Sequence, residues 1–230
     1  MKLKVCGMKY VENIQQVAEL NPDYLGFIFY EKSKRNFEGI IPEISKTIKK
    51  TGVFVNEDVD IVASLITAYN LQAVQLHGDE TVEYIVKLKE VLREDELDSA
   101  SQNKELRQAQ SDNRIEIIKV FGIKDKFNFD ILKPYLEVVD YFLFDTKGKE
   151  RGGNGTKFDW KVLEKYPFEK PFFLSGGIGL EDVDIIMSFL RRQESKHCFG
   201  LDVNSKFESE PGLKNINEVK NFKNKLQDEK

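Results

Sequence analysis

Apolar stretches of strand length, LKVCG, YLGFIF, TGVFVN, AVQLHG, IEIIKVFG, YFLFDT, FFLSGG and FGLDVN, recur along the chain from one end to the other. Between them, segments such as Val11 to Leu20, Val59 to Tyr69, Phe129 to Val138 and Glu181 to Leu190 place apolar residues at spacings of three and four. Near-continuous apolar runs suit parallel strands buried on both faces, and the second pattern suits helices that lay one apolar stripe on those strands. Eight such runs is the number that closes a sheet on itself, so the pattern predicts an α/β fold, a (β/α)8 TIM barrel in a single domain. An open doubly wound sheet is the competing architecture. It usually has fewer strands and a glycine-rich turn after the first, where this chain has CGMKY. The rhythm breaks at Arg93 to Asn113, which is rich in Glu, Asp, Gln, Ser and Lys and is predicted to be a solvated helical extension or a mobile loop. The charged tail after Gln227 is expected to fray.

At 230 residues the chain suits one such barrel, and 40% hydrophobic with 32% charged residues is ordinary for a globular protein. The net charge of -4 mixes both signs with no basic stripe, which argues against a nucleic-acid partner. No apolar run approaches the roughly 20 residues of a membrane span, and the start of the chain has no signal-peptide core. The expectation is a cytoplasmic protein with no membrane partner. Two cysteines and two histidines, His77 and His197, offer no CxxC or HExxH arrangement, so no metal site is expected. Cys6 near the end of the first strand and Cys198 at the start of the last should lie too far apart for a disulfide.

In barrels of this kind the chemistry sits on the loops that follow the strands. Cys6 closes strand one in KVCGM, either as inert packing or as a thiol activated by Lys4, which alternation puts on the same face. The alternative is that Lys4 pairs with a core carboxylate, with Asp202 on strand eight the nearest candidate. Asp145 ends strand six and reads either as a cap or loop acceptor, or as a proton donor made so by partial desolvation. Lys32, Lys34 and Arg35 follow strand two; they form a solvated face, or Arg35 offers its planar fork to a substrate carboxylate. SGGI after strand seven and DVNS after strand eight leave small residues where many barrels bind phosphate, which singles out Gly176, Gly177, Asn204 and Ser205. The glycine-dense GKERGGNG after Asp145 is either a lid or a merely flexible connection.

Taken together, KVCGM, LGFIFYEKSKR, GVFVN, AVQLHG, FLFDT followed by GGNG and FDW, LSGGI, and LDVNSKFE with PGLK resemble the phosphoribosylanthranilate isomerase family from end to end. The resemblance implies a barrel that converts N-(5′-phosphoribosyl)anthranilate to 1-(2-carboxyphenylamino)-1-deoxyribulose 5-phosphate by an Amadori rearrangement, without a cofactor. It assigns Asp145 as the general acid that opens the furanose and Cys6 as the base that removes the C2′ proton. Arg35 would hold the anthranilate carboxylate, Gly176, Gly177, Asn204 and Ser205 the phosphate, and His77 and Asp202 would face the site. Where many relatives read SSG this chain has Asn204, Ser205 and Lys206, so the phosphate geometry differs in detail and Lys206 could compensate by charge. The partners this reading gives are a small-molecule phosphorylated substrate and, for the chain itself, a monomer or homodimer. Rival readings fit less well. The aminoaldose isomerase of histidine biosynthesis uses a carboxylate pair, where strand one here ends in cysteine. A pentose phosphate epimerase needs metal ligands, and a barrel that only binds would be expected to have lost Cys6 or Asp145.

Overall fold

A computed structural model describes residues 1–101, 114–124, 126–146 and 159–228. Strands and helices alternate: β1 (Lys2–Val5), α1 (Val11–Glu19), β2 (Tyr24–Phe29), β3 (Lys49–Phe54), α2 (Val59–Tyr69), β4 (Ala73–Leu76), α3 (Val82–Ser101), β5 (Glu116–Ile123), β6 (Tyr141–Thr146), β7 (Phe172–Leu174), α4 (Val183–Leu190) and β8 (Cys198–Val203). A small antiparallel pair follows, β9 (Glu208–Glu210) with β10 (Leu213–Lys214), and then α5 (Ile216–Asp228). The first eight strands are parallel, each bonded to the next, and β8 returns to β1, so the sheet is a closed barrel and not an open one.

Each apolar run of the sequence supplies one barrel strand because both its faces are covered. Inside the barrel, Tyr24, Ala73, Ile118, Val120, Leu143 and Phe173 form one packed layer. Tyr24 and Tyr141 meet Phe173 edge-on at 5.4 Å, and Phe199 lies tilted against Tyr141 at 4.5 Å. A register shift between Phe172 and Phe173 puts an extra β8 residue, Phe199, opposite β7. That bulge lets Phe199 join the inner layer while Asp202, three residues on, still lies beside Lys4. Outside the barrel, the stripes of α1, α2, α4 and α5 cover the strands with residues such as Ile14, Val62, Ile186 and Phe222.

Helix ends follow local chemistry. The Asp58 side chain caps α2 at Asp60 N, and Asn70 ends it in the left-handed region. Two expected helices come out differently. Phe129 to Val138 is a 3-10 helix over Phe129–Tyr135, since Pro134 has no N–H to continue an α ladder. Glu181 to Leu190 divides into a 3-10 turn, Leu180–Asp182, and α4. Of the polar stretch Arg93 to Asn113, the α3 backbone continues through Ser101 and residues 102–113 lie outside the described residues, as does the GKERGGNG loop. The predicted tail is helical to Asp228, and only 229–230 lie outside. Among the described residues no helix is long and apolar enough to cross a membrane.

Candidate active site

At the C-terminal mouth of the barrel one pocket is lined by Cys6, Arg35, His77, Asp145, Gly176, Gly177, Asp202, Asn204 and Ser205. Every residue that the family resemblance assigns to the site therefore comes to one place. Ile28, Val53, Gln75, Thr146 and Ser175 complete much of its wall.

Cys6 follows β1 and is buried, and it fits because β2 places Gly26 opposite: a Cβ there would stand 2.7 Å from the thiol sulfur. Beneath it, β1 and β8 put Lys4 level with Asp202, and the ammonium lies 2.8 Å from Asp202 Oδ1 with both side chains buried. Ser175 Oγ approaches the other Asp202 oxygen at 3.5 Å. The pairing of Lys4 with a core carboxylate thus holds, and Asp202 reaches the pocket with its oxygens engaged from below. The expected lowering of the thiol pKa does not. Burial pushes the Cys6 thiol up, and the pull of Lys4 in the other direction only offsets part of this. Asp202 is likewise raised by burial, with Lys4 opposing.

Asp145 ends β6 across the mouth. Its Oδ1 accepts from Thr146 N at 2.8 Å, and its Oδ2 lies 3.5 Å from His77 Nε2. His77 is held in turn by Gln75, whose amide nitrogen lies 3.1 Å from Nδ1. The loop carrying His77 is pinned by a second buried ion pair: Lys119 contacts Glu80 at 3.0 Å and Gly78 O at 2.8 Å, while Glu80 accepts from Asn56 N and Gly78 N.

Of the three cations after β2, Lys32 and Lys34 are exposed and only Arg35 turns into the pocket. Its Nε and Nη2 both reach Glu208, at 2.9 and 2.7 Å. Glu208 also takes Lys214 Nζ at 2.6 Å, and Lys214 donates to Asn204 Oδ1 at 2.7 Å, so one chain of contacts joins the arginine to the loop after β8. Burial alone would raise Glu208, but Arg35 and Lys214 hold it below the usual carboxylate value. Burial lowers Lys214 to about 8 against the pull of Glu208.

Gly176 and Gly177 have φ of +96° and +64°, and a Cβ on Gly176 would lie 2.2 Å from Thr146 Oγ1. Only glycine lets this loop turn so close to the end of β6. Asn204 and Ser205 open a 3-10 turn, Ser205–Phe207, beside it. Lys206 points instead to Glu181, 3.8 Å away, and is not part of the pocket wall. Among the described residues no group of three His, Cys, Asp or Glu stands together as metal ligands would.

Glu208, Lys214 and Gln75 carry contacts that the sequence reading did not assign. Glu208 and Lys214 fall within the quoted KFE and PGLK motifs, so their place was marked without a role. Gln75 stands two residues before His77 on the same strand face, a spacing that could have flagged it.

A closed eight-stranded barrel with a thiol, a carboxyl and an arginine around one pocket, bordered by the turns after β7 and β8, has the form of a barrel enzyme that works on a small polar ligand. The family profile described as N-(5'phosphoribosyl)anthranilate (PRA) isomerase matches residues 3–111 and 100–225, and the chain belongs to that family. A Parabacteroides distasonis protein named N-(5'-phosphoribosyl)anthranilate isomerase is 39% identical, with 96% of this chain and 91% of that protein covered. The crystal structure of phosphoribosyl anthranilate isomerase from Thermotoga maritima superposes with a TM-score of 0.76 at 29% identity, covering 99% of each chain. A phosphoribosyl anthranilate isomerase in complex with reduced 1-(o-carboxyphenylamino)-1-deoxyribulose 5-phosphate superposes with a TM-score of 0.73 at 26% identity, again over 99% of each chain.

Proposed function

We infer that this protein is the N-(5′-phosphoribosyl)anthranilate isomerase of tryptophan biosynthesis, which turns an aminoaldose phosphate into 1-(2-carboxyphenylamino)-1-deoxyribulose 5-phosphate. The observation that carries this reading is the meeting of Cys6, Asp145, Arg35 and the loops after β7 and β8 in one pocket. It is supported by the complex of a relative with a reduced form of that product.

In this reading Asp145 gives a proton to the furanose ring oxygen. The C1′–O bond breaks, and the anilino nitrogen lone pair forms the C1′=N iminium. The Cys6 thiolate then takes the C2′ proton, and the released electron pair makes the C1′=C2′ bond and neutralises the iminium. The enolamine regains a proton at C1′ and loses one from its C2′ hydroxyl to become the ketose. Electrons stay within the molecule throughout, so the step calls for one acid and one base, each worth about 10²–10⁴ in rate. Arg35 binds the anthranilate carboxylate while Glu208 fixes its fork. The turns at Gly176, Gly177, Asn204 and Ser205 take the phosphate. His77 bears on Asp145, and Asp202 supports the floor beneath Cys6. The chain acts as one barrel domain in the cytoplasm, as a monomer or homodimer.

The test is the fluorescence decay of freshly made phosphoribosylanthranilate with the purified protein in EDTA. Decay well above the spontaneous rate is expected. A rate equal to the spontaneous one would leave the chain a ligand-binding barrel.

A further inference from the structure

We propose that Gln75 is a positioning residue that fixes His77 in its Nε2–H tautomer and through it holds the Asp145 carboxyl in the pose for proton transfer; this rests on Asp145 being the acid, as read above. Gln75 lies in β4, buried at 1% exposure, with its side chain at the wall of the pocket. Its amide nitrogen stands 3.1 Å from His77 Nδ1. An amide nitrogen donates and does not accept, so Nδ1 must offer its lone pair, and a neutral imidazole then carries its proton on Nε2. That nitrogen is the one 3.5 Å from Asp145 Oδ2.

The reverse arrangement would work against the acid. Turning the amide would set Oε1 against Nδ1, move the ring proton there and leave Nε2 as an acceptor that draws the Asp145 proton toward the ring and away from the substrate. Gln75 Oε1 has no other partner among the described residues, so the contact with the ring decides which way the amide lies. The other Asp145 oxygen accepts from Thr146 N, so the ring 3.5 Å from Oδ2 limits the carboxyl's turn on its remaining free side. The ring cannot drift either, because Lys119 and Glu80 clamp the loop just beyond it. A row of three side chains, Gln75, His77 and Asp145, thus aims the acid from a rigid strand.

The chain has only two histidines, so nitrogen-15 spectra of histidine-labelled protein resolve the His77 ring directly. The wild type should show the Nε2–H form. Gln75→Glu replaces the donor with an acceptor for Nδ1–H, so the ring should switch to the Nδ1–H or doubly protonated form, and kcat should fall on the order of tenfold to a hundredfold with KM little changed. Gln75→Met, which keeps the volume and removes both polar atoms, should give mixed tautomers and a smaller loss of kcat. An Nδ1–H ring in the wild type would overturn the proposal. So would a switched ring in Gln75→Glu with wild-type kcat, or equal losses in kcat and tautomer-neutral spectra for both variants. A wild type without isomerase activity would sink the functional reading, while the spectra would still decide the tautomer.

Discussion

The two ends of the barrel each hold a thiol, buried at Cys6 and half-buried at Cys198, and the difference between them shows how one fold separates stability from chemistry. At the N-terminal end Cys198 begins β8 with the Gly200 carbonyl as its only hydrogen-bond partner among the described residues, and burial pushes it up to about 12. Its side chain packs in the layer between barrel and helices, while the barrel interior is closed by the Tyr141, Phe173 and Phe199 rings and by Tyr24 and Lys49 on Glu116. At the C-terminal end Cys6 is also raised by burial, but two cations, Lys4 and Lys214, pull it back and the pocket opens above it. Desolvation acts on both thiols, and positive charge opposes it at both, the N-terminal ammonium at Cys198 and two buried lysines at Cys6; only Cys6 also has a cavity in front of it. A desolvated cysteine is therefore inert by default, and it becomes a usable base where buried cations beneath it meet an open pocket above it.

The largest effects should come from the open end. Asp145→Asn and Cys6→Ser should each cost about 10²–10⁴ in kcat, with circular dichroism and melting close to wild type; near-normal turnover in either would remove that residue from its role. Next comes the floor of the site. Lys4→Met leaves Asp202 buried without its partner and should cost about 3–5 kcal/mol in denaturant unfolding, of which Lys4→Met with Asp202→Leu should recover much. If the double substitution is as unstable as the single one, the pair is not what holds the floor. Arg35→Ala should raise KM by roughly tenfold or more for the carboxylate-bearing substrate, since a hydrogen bond to a charged group is worth about 1.5–3 kcal/mol, and leave substrates lacking the carboxylate much less affected. Similar losses for both would make Arg35 structural. At the closed end, Lys49→Met should change stability by no more than about 1 kcal/mol, because its partner Glu116 is reached from a half-exposed position.

How much of this was legible in the sequence follows from what each feature depends on. Barrel strands are buried on both faces, so each wrote itself as an apolar run, and closure followed from their number. Residues at strand ends were legible too, because the barrel fixes which ends meet: Cys6, Asp145 and Gly176 are far apart in the chain and share one wall. Geometry finer than strand alternation was not. Pro134 turns an expected helix into 3-10, and the bulge at Phe199 sets the phase that brings Asp202 to Lys4. Nor could the sign of the Cys6 shift be read, since Lys4 beside it was visible as a letter but the depth of burial that outweighs it was not. Contacts that run between side chains from distant segments, Arg35 to Glu208 to Lys214 to Asn204, left no periodic mark at all.

The central claim is that the Cys6 thiolate is the base, and the pH dependence of inactivation by iodoacetamide, read as lost turnover, tests it most directly. Alkylation needs the thiolate alone, so the protonation of the acid does not enter. Because burial raises the thiol from its ordinary value of 9.0, the thiolate is scarce at neutral pH and grows as pH rises. In Cys198→Ser protein, inactivation should speed up about tenfold per pH unit toward the alkaline side, and saturating product should block it. Inactivation indifferent to pH, or protein alkylated at Cys6 that keeps its turnover, would contradict the account.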